Sequence, residues 1–170
     1  MSVISTLKTG HQVEVAAFGT DGFGGAAAVL DVSTSVYWML VQMESSGYRV
    51  PAEAFRQTFQ QSDALRRLVM AHLGRMLLQV IRSAACNRFH SSRQRLARWL
   101  LITADKSGHR SLTLTHDFIA QMVGGPRHAV TTAVNELRAT GAINGRRGRI
   151  EILDSSRLAS EACECYARPD

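Results

Sequence analysis

The sequence predicts an α+β fold in which short strands come first, helices follow, and a small hairpin lies near the end. Three observations carry that expectation. Glycine-punctuated segments rich in β-branched residues fill roughly the first sixty positions. An apolar pattern at helical spacing then runs from Asp63 to Ala85. Finally, two helix signals flank Val123-Gly124-Gly125-Pro126 and are followed by two short β-type runs.

Val13-Glu14-Val15 alternates after Gly10, and Gly19-Thr20-Asp21-Gly22 followed by Gly24-Gly25 is turn chemistry. Val36–Met43 and Tyr48-Arg49-Val50, which runs into Pro51, are read as further strands of a small sandwich or partial roll. A short helix is expected from Ala52 to Phe59. Ser62 is a candidate N-cap for a helix of about six turns, with Asp63 in its first turn. Leu65, Val69, Leu73, Met76 and Val80 form one stripe, and Leu68, Leu77, Ile81 and Ala84 widen it toward a second face. So broad an apolar surface touches two things, the preceding roll and a second copy of the same helix. The first stripe is assigned to dimerisation, against the alternative of a helix buried within one domain. The expected organisation is a truncated roll over 1–60, a dimerisation helix over 61–86 and a C-terminal unit over 87–170.

Composition bounds the rest. The 170 residues are 45% hydrophobic and 20% charged, a globular balance that excludes a disordered or fibrous chain. No run approaches the roughly 18 apolar residues of a membrane span, and no membrane partner is expected. Met1–Gly10 has one lysine and no apolar block, so a secretory leader is not expected. Three cysteines argue against a disulfide scaffold and for a reducing, cytoplasmic setting. Net charge is +6, and residues 86–153 hold 11 basic against 4 acidic side chains. Arginine supplies 18 of the 20 basic groups, and its planar fork pairs bidentately with phosphate or guanine. A polyanion is the expected partner, and a merely solvated basic face the alternative.

The C-terminal half is more specific. The chain is expected to hinge near Cys86-Asn87, with a helix from His90 to Thr103, a loop at Asp105–Gly108 and a short strand at Ser111–Leu114. Thr115 is an N-cap with Asp117 in the first turn, and Gly124-Gly125 breaks that helix after two turns. Pro126 opens a second helix that runs through Ala139, with Gly141 closing it as a C-terminal cap. A hairpin with Arg146 and Arg147 at its tip completes a winged helix-turn-helix. With Val130, Ala133, Val134 and Leu137 turned inward, Arg127, His128, Thr131, Thr132, Asn135 and Arg138 face outward. Arg127 is placed to read guanine, while Arg146, Arg147 and Arg149 are placed for phosphates.

These segments carry a resemblance. Arg95-Leu96-Ala97-Arg98-Trp99-Leu100-Leu101, Leu114-Thr115, Ala120-Gln121-Met122-Val123-Gly124, Leu137–Ile143 and Gly148–Leu153 resemble the DNA-binding domain of Crp/Fnr-type transcription regulators. The long helix is similar to that family's dimerisation helix, and Gly22–Val50 to the second half of its β-roll. The resemblance implies a homodimer on a near-palindromic double-stranded site, touching RNA polymerase if it activates. Where the family commonly carries glutamate and a second arginine, this chain has His128 and Thr132, which leaves its half-site open. Only about sixty residues precede the long helix, so the first half of the family's roll is expected to be missing. Gly24-Gly25-Ala26 and Val36-Tyr37-Trp38 carry neither the acidic residue nor the arginine of cyclic-nucleotide binders. The N-terminal cysteines of the family's iron–sulfur sensors are also missing, so no cofactor is expected. The other reading is an interaction protein that pairs with a full-length relative and modulates it.

Cys86 and His90 lie four apart, and Cys163-Glu164-Cys165 adds two sulfurs. They would form a zinc set if the C-terminal helix folded back on the hinge, but small unliganded cysteines are the default, and no metal is expected. No nucleophile elbow or phosphate loop is present, and His11, His72, His109 and His116 are read as surface or packed residues rather than catalysts.

Overall fold

A computed structural model of the chain describes residues 1–166 other than 31, 33, 34, 36 and 147. The N-terminal layer is one antiparallel sheet of β1 (Ser2–Thr6), β2 (Gln12–Ala17) and β3 (Trp38–Leu40), with β1 in the middle. Strand β1 was not anticipated, although Val3 and Ile4 are the β-branched residues that its buried positions require. Val36–Met43 shortens to β3, and Val36 itself lies outside the described residues. Tyr48-Arg49-Val50 is not a strand. Its side chains are exposed, and among the described residues no strand pairs with it to hold it extended.

Helix α1 (Ala52–Gln61) follows Pro51, and α2 (Asp63–Phe89) begins directly after Ser62. Ser62 Oγ accepts the Leu65 amide at 3.3 Å, as an N-cap should. Helix α2 outruns its expected end and stays regular through Cys86-Asn87. The turn comes at His90-Ser91, where both residues are extended and Ser91 forms a reciprocal capping box with Gln94. Helix α3 (Ser92–Ser107) also absorbs the expected loop at Asp105–Ser107 and stops at Gly108, whose φ of 73° ends the last turn.

Helix α2 turns part of the stripe expected to dimerise toward its own chain. Val69 is 2% exposed, and Leu65, Leu73 and Met76 are half-buried. Met76 packs on the small cluster of Val3, Ala16 and Phe18. Polar side chains fix this facing. Gln79 Oε1 accepts the Ala17 amide at 3.0 Å, and His72 Nε2 lies 3.0 Å from the Phe23 carbonyl, between the rings of Phe18 and Phe23. Residues 69, 72, 76, 79, 83 and 86 follow the three-and-four spacing of one face. Val80 lies outside that set and is 38% exposed. The second stripe, with Leu68, Leu77 and Ile81, is turned to solvent.

The main core lies in the C-terminal unit, joined by Ile4 of β1. There α3, α4 (His116–Val123) and α5 (Arg127–Ala139) pack on a sheet of β4 (Ser111–Thr113), β5 (Ile143–Arg146) and β6 (Arg149–Ile152), ordered β4-β6-β5. Leu96, Leu100, Ile119, Leu137 and Ile150 are fully enclosed. Helix α6 (Ser155–Glu161) lies against α3 through Leu158 and an Arg93–Glu161 ion pair.

The two halves meet where β2 lies on α3 and α4. Trp99 Nε1 donates to Glu14 Oε1 at 3.2 Å, and Gln42 Nε2 donates to its other oxygen at 3.0 Å. Burial pushes the Glu14 carboxyl above the ordinary range, against these hydrogen bonds and the Arg98 charge. The folded state therefore holds this proton more tightly than the unfolded chain. Its contribution is complete below the ordinary carboxylate range and is lost as pH rises toward the raised folded value. In urea melts at about pH 5 and about pH 8, the parent should lose stability across the interval and Glu14→Gln should lose less. Equal losses would contradict this account of Glu14.

Candidate nucleic-acid interface

Thr115 caps α4, its Oγ1 accepting the Phe118 amide at 3.2 Å. Ile119, Met122 and Val123 of that helix enter the core. Gly124 then turns the chain at φ 68°, the left-handed region that favours glycine. A side chain there is excluded twice over, because its Cβ would stand 2.9 Å from Val13 Cγ2 of β2. Pro126 stands at the N-cap, one place before the helical position expected for it, and α5 begins at Arg127. Val130, Ala133, Val134 and Leu137 are buried, as the inward stripe requires.

The opposite face is open. Arg127, His128, Thr131, Thr132, Asn135 and Arg138 are all exposed. Thr131 and Thr132 donate their hydroxyls to the carbonyls of Arg127 and His128, each at 3.2 Å. A groove runs between this face and the hairpin, lined by Thr115, Asp117, Arg127, Asn135, Arg138, Arg146 and Arg149 among others. Arg149 Nε donates to Ser111 Oγ at 2.6 Å, so β4 steadies this arginine at the hairpin. Arg147 lies outside the described residues. The groove is rich in arginine, and its width is set by how α5 and the hairpin share the core.

Two members of this surface were not singled out in the sequence as partners. Asp117 Oδ1 lies 3.3 Å from Arg127 Nε, and His116 Nδ1 lies 3.0 Å from Thr131 Oγ1. Both contacts cross the glycine turn from α4 to α5. Asp117 was legible only as a first-turn acid, because its second contact depends on the angle between two helices. The stripe assigned to dimerisation does not join this surface. Cys86, His90, Cys163 and Cys165, set aside in the sequence, do come together, at the α2–α3 junction.

Comparison with known proteins follows the same division. Residues 94–161 match the Crp-like helix-turn-helix domain. The C-terminal part of this chain is a Crp-like helix-turn-helix domain. The chain as a whole has the fold of Crp/Fnr-type transcription regulators. A CRP-family transcriptional regulator of Thermus thermophilus superposes with a TM-score of 0.68 at 21% identity, over 99% of this chain and 86% of its own. A CRP/FNR-family regulator from the same organism gives 0.67 at 20% identity, over 95% and 82%. A protein of Eubacterium rectale described as a transcriptional regulator of the Crp/Fnr family gives 0.66 at 20%, over 94% and 74%. Comparison with curated protein sequences gives no match. Among the described residues, no helix is long and apolar enough to cross a membrane.

The local physics of this Crp-like domain is open to a direct check. Thr115→Ala removes the cap of α4 without touching the core and should cost about 1 kcal/mol in a urea melt. A loss below about 0.3 kcal/mol would show that water caps this helix equally well.

Proposed function

We propose that this Crp/Fnr-type regulator acts as a homodimer, each copy laying α5 in one major groove of a near-palindromic duplex. The observation that carries this reading is the open face of α5 with Arg127 in its first turn. In helix-turn-helix proteins that turn reaches base edges. Arg127 reads guanine through O6 and N7, giving up its exposed pairing with Asp117 to do so. His128, Thr131, Thr132 and Asn135 present mixed donors and acceptors along the same groove wall. Arg138, Arg146, Arg147 and Arg149 and the Thr115 hydroxyl take phosphates, which set register without reading sequence. No cyclic nucleotide enters the mechanism, because Gly24-Gly25-Ala26 offers neither a carboxylate for ribose nor an arginine for phosphate.

The second face of α2 supports pairing. Met70, Gly74, Leu77, Ile81 and Ala84 alternate steps of four and three, the spacing of a coiled-coil seam, and all are exposed. A Cβ at Gly74 would meet nothing within 4 Å, which leaves room for a second helix to approach closely. Leu77→Glu, on this face, should leave folding intact and yield a monomer by sedimentation. Val69→Glu buries an unpaired charge and should destabilise the fold instead. A Leu77→Glu protein that remained a dimer would place the interface elsewhere.

The division of labour on DNA is tested with two further variants. Arg127→Ala should weaken binding to a selected high-affinity duplex by about 1–3 kcal/mol per guanine contact while leaving mixed-sequence DNA nearly unaffected. Arg149→Ala should weaken both duplexes alike and lower the salt slope by about one. Identical behaviour of the two variants would contradict the assignment of reading to α5 and positioning to the hairpin.

A further inference from the structure

Four side chains that could ligate a metal converge where α2 ends and the C-terminal segment returns. Cys86 Sγ, a ring nitrogen of His90, Cys163 Sγ and Cys165 Sγ all lie within 4.8 Å of one another. Cys86 occupies the last full turn of α2, and His90 is the residue that ends it. The two other sulfurs sit on a turn after α6, closed by the Tyr166 amide donating to the Cys163 carbonyl at 3.0 Å. That turn is tied down independently of its sulfurs. Arg98 Nε donates to the Cys165 carbonyl at 3.4 Å, and the Tyr166 hydroxyl donates to Asp105 at 2.9 Å.

We propose that Cys86, His90, Cys163 and Cys165 form a tetrahedral site for a soft divalent cation, zinc foremost. Donor set, spacing and surroundings each point the same way. Three thiolates and an imidazole are a structural zinc set, and thiolate ligation selects against magnesium and calcium. With metal–sulfur and metal–nitrogen bonds of about 2.3 and 2.05 Å, the edges of a tetrahedron are about 3.8 Å between sulfurs and about 3.5 Å from sulfur to nitrogen. Cys86 Sγ and Cys163 Sγ lie 3.5 Å apart, and Cys165 Sγ lies 3.7 Å from His90 Nδ1. A disulfide would engage only two of these sulfurs and would give the histidine no part.

The surroundings also fit a metal. His90 presents Nδ1 inward while its Nε2 lies 3.1 Å from the Glu164 carboxylate. A carboxylate on the outer ring nitrogen of a ligating histidine fixes its tautomer and raises its basicity. Three thiolates around a divalent ion leave one negative charge, and the Arg98 guanidinium, held between Ser83 and the Cys165 carbonyl, balances it. Cys86 and Cys163 are buried, so the ion would be shielded from water on two sides. The ligands come from positions 77 residues apart, and a clip that closes so long a loop gains most from loop closure.

The test is titration of the reduced, tag-free full chain with Zn(II) against a chromophoric chelator, and with Co(II) read by its thiolate charge-transfer band. About one ion per chain is expected, with the strong near-ultraviolet and visible cobalt bands of a tetrahedral thiolate site. Glu164→Gln, at an exposed position, should bind zinc roughly 10- to 100-fold more weakly, and Cys165→Ser more weakly still. Less than about 0.1 ion per reduced parent chain would overturn the proposal. So would tight binding that both variants leave unchanged.

Discussion

A 27-residue helix with apolar side chains on opposite sides cannot be satisfied by one sheet, and the arrangement of this chain follows from that constraint. The face of α2 carrying Val69 and Met76 also carries His72, Gln79 and Ser83. It meets loops and a sheet end that present backbone amides and carbonyls, so it needs hydrogen-bonding groups as well as hydrocarbon. The other face, from Met70 to Ala84, has no such need and shows none. Polar atoms therefore distinguish the side that meets its own chain from the side left open to another.

The second dependence is the seat of β2 on the helix-turn-helix. Val13 presses on the Gly124 turn, and Glu14 reaches Trp99 of α3. A buried carboxyl group at such a joint needs hydrogen-bond partners on both oxygens, and Trp99 and Gln42 supply them. The N-terminal layer thus bears on the turn that orients α5. Under the proposed function, the orientation of α5 sets which side chains reach a duplex.

The C-terminal unit was legible because its punctuation is local. Thr115, Gly124, Pro126 and Gly141 each act within one turn of where they stand, and the inward stripe of α5 has a single partner. The N-terminal layer was less so. Tyr48-Arg49-Val50 has strand composition, but a strand exists only if another lies beside it, which no local rule supplies. The end of α2 was misplaced because Cys86-Asn87 is permissive rather than terminating, whereas the Ser91–Gln94 capping box does stop the helix. The face of α2 that meets its own sheet is marked by His72 and Gln79 as much as by hydrocarbon. Convergence of Cys86 and Cys163 required the return of α6 along α3, which follows from Leu158 and the Arg93–Glu161 pair.

The proposed function requires two copies of α5, presented by one shared helix pair, to read DNA with two-fold symmetry. In vitro selection from a randomised duplex pool, with the bound stoichiometry measured on the winning sequence, tests it most directly. The account predicts an inverted repeat with half-site centres about one helical turn, roughly 34–36 Å, apart, bound by two chains. Enrichment of a lone half-site bound by one chain, or no enrichment at all, would contradict it.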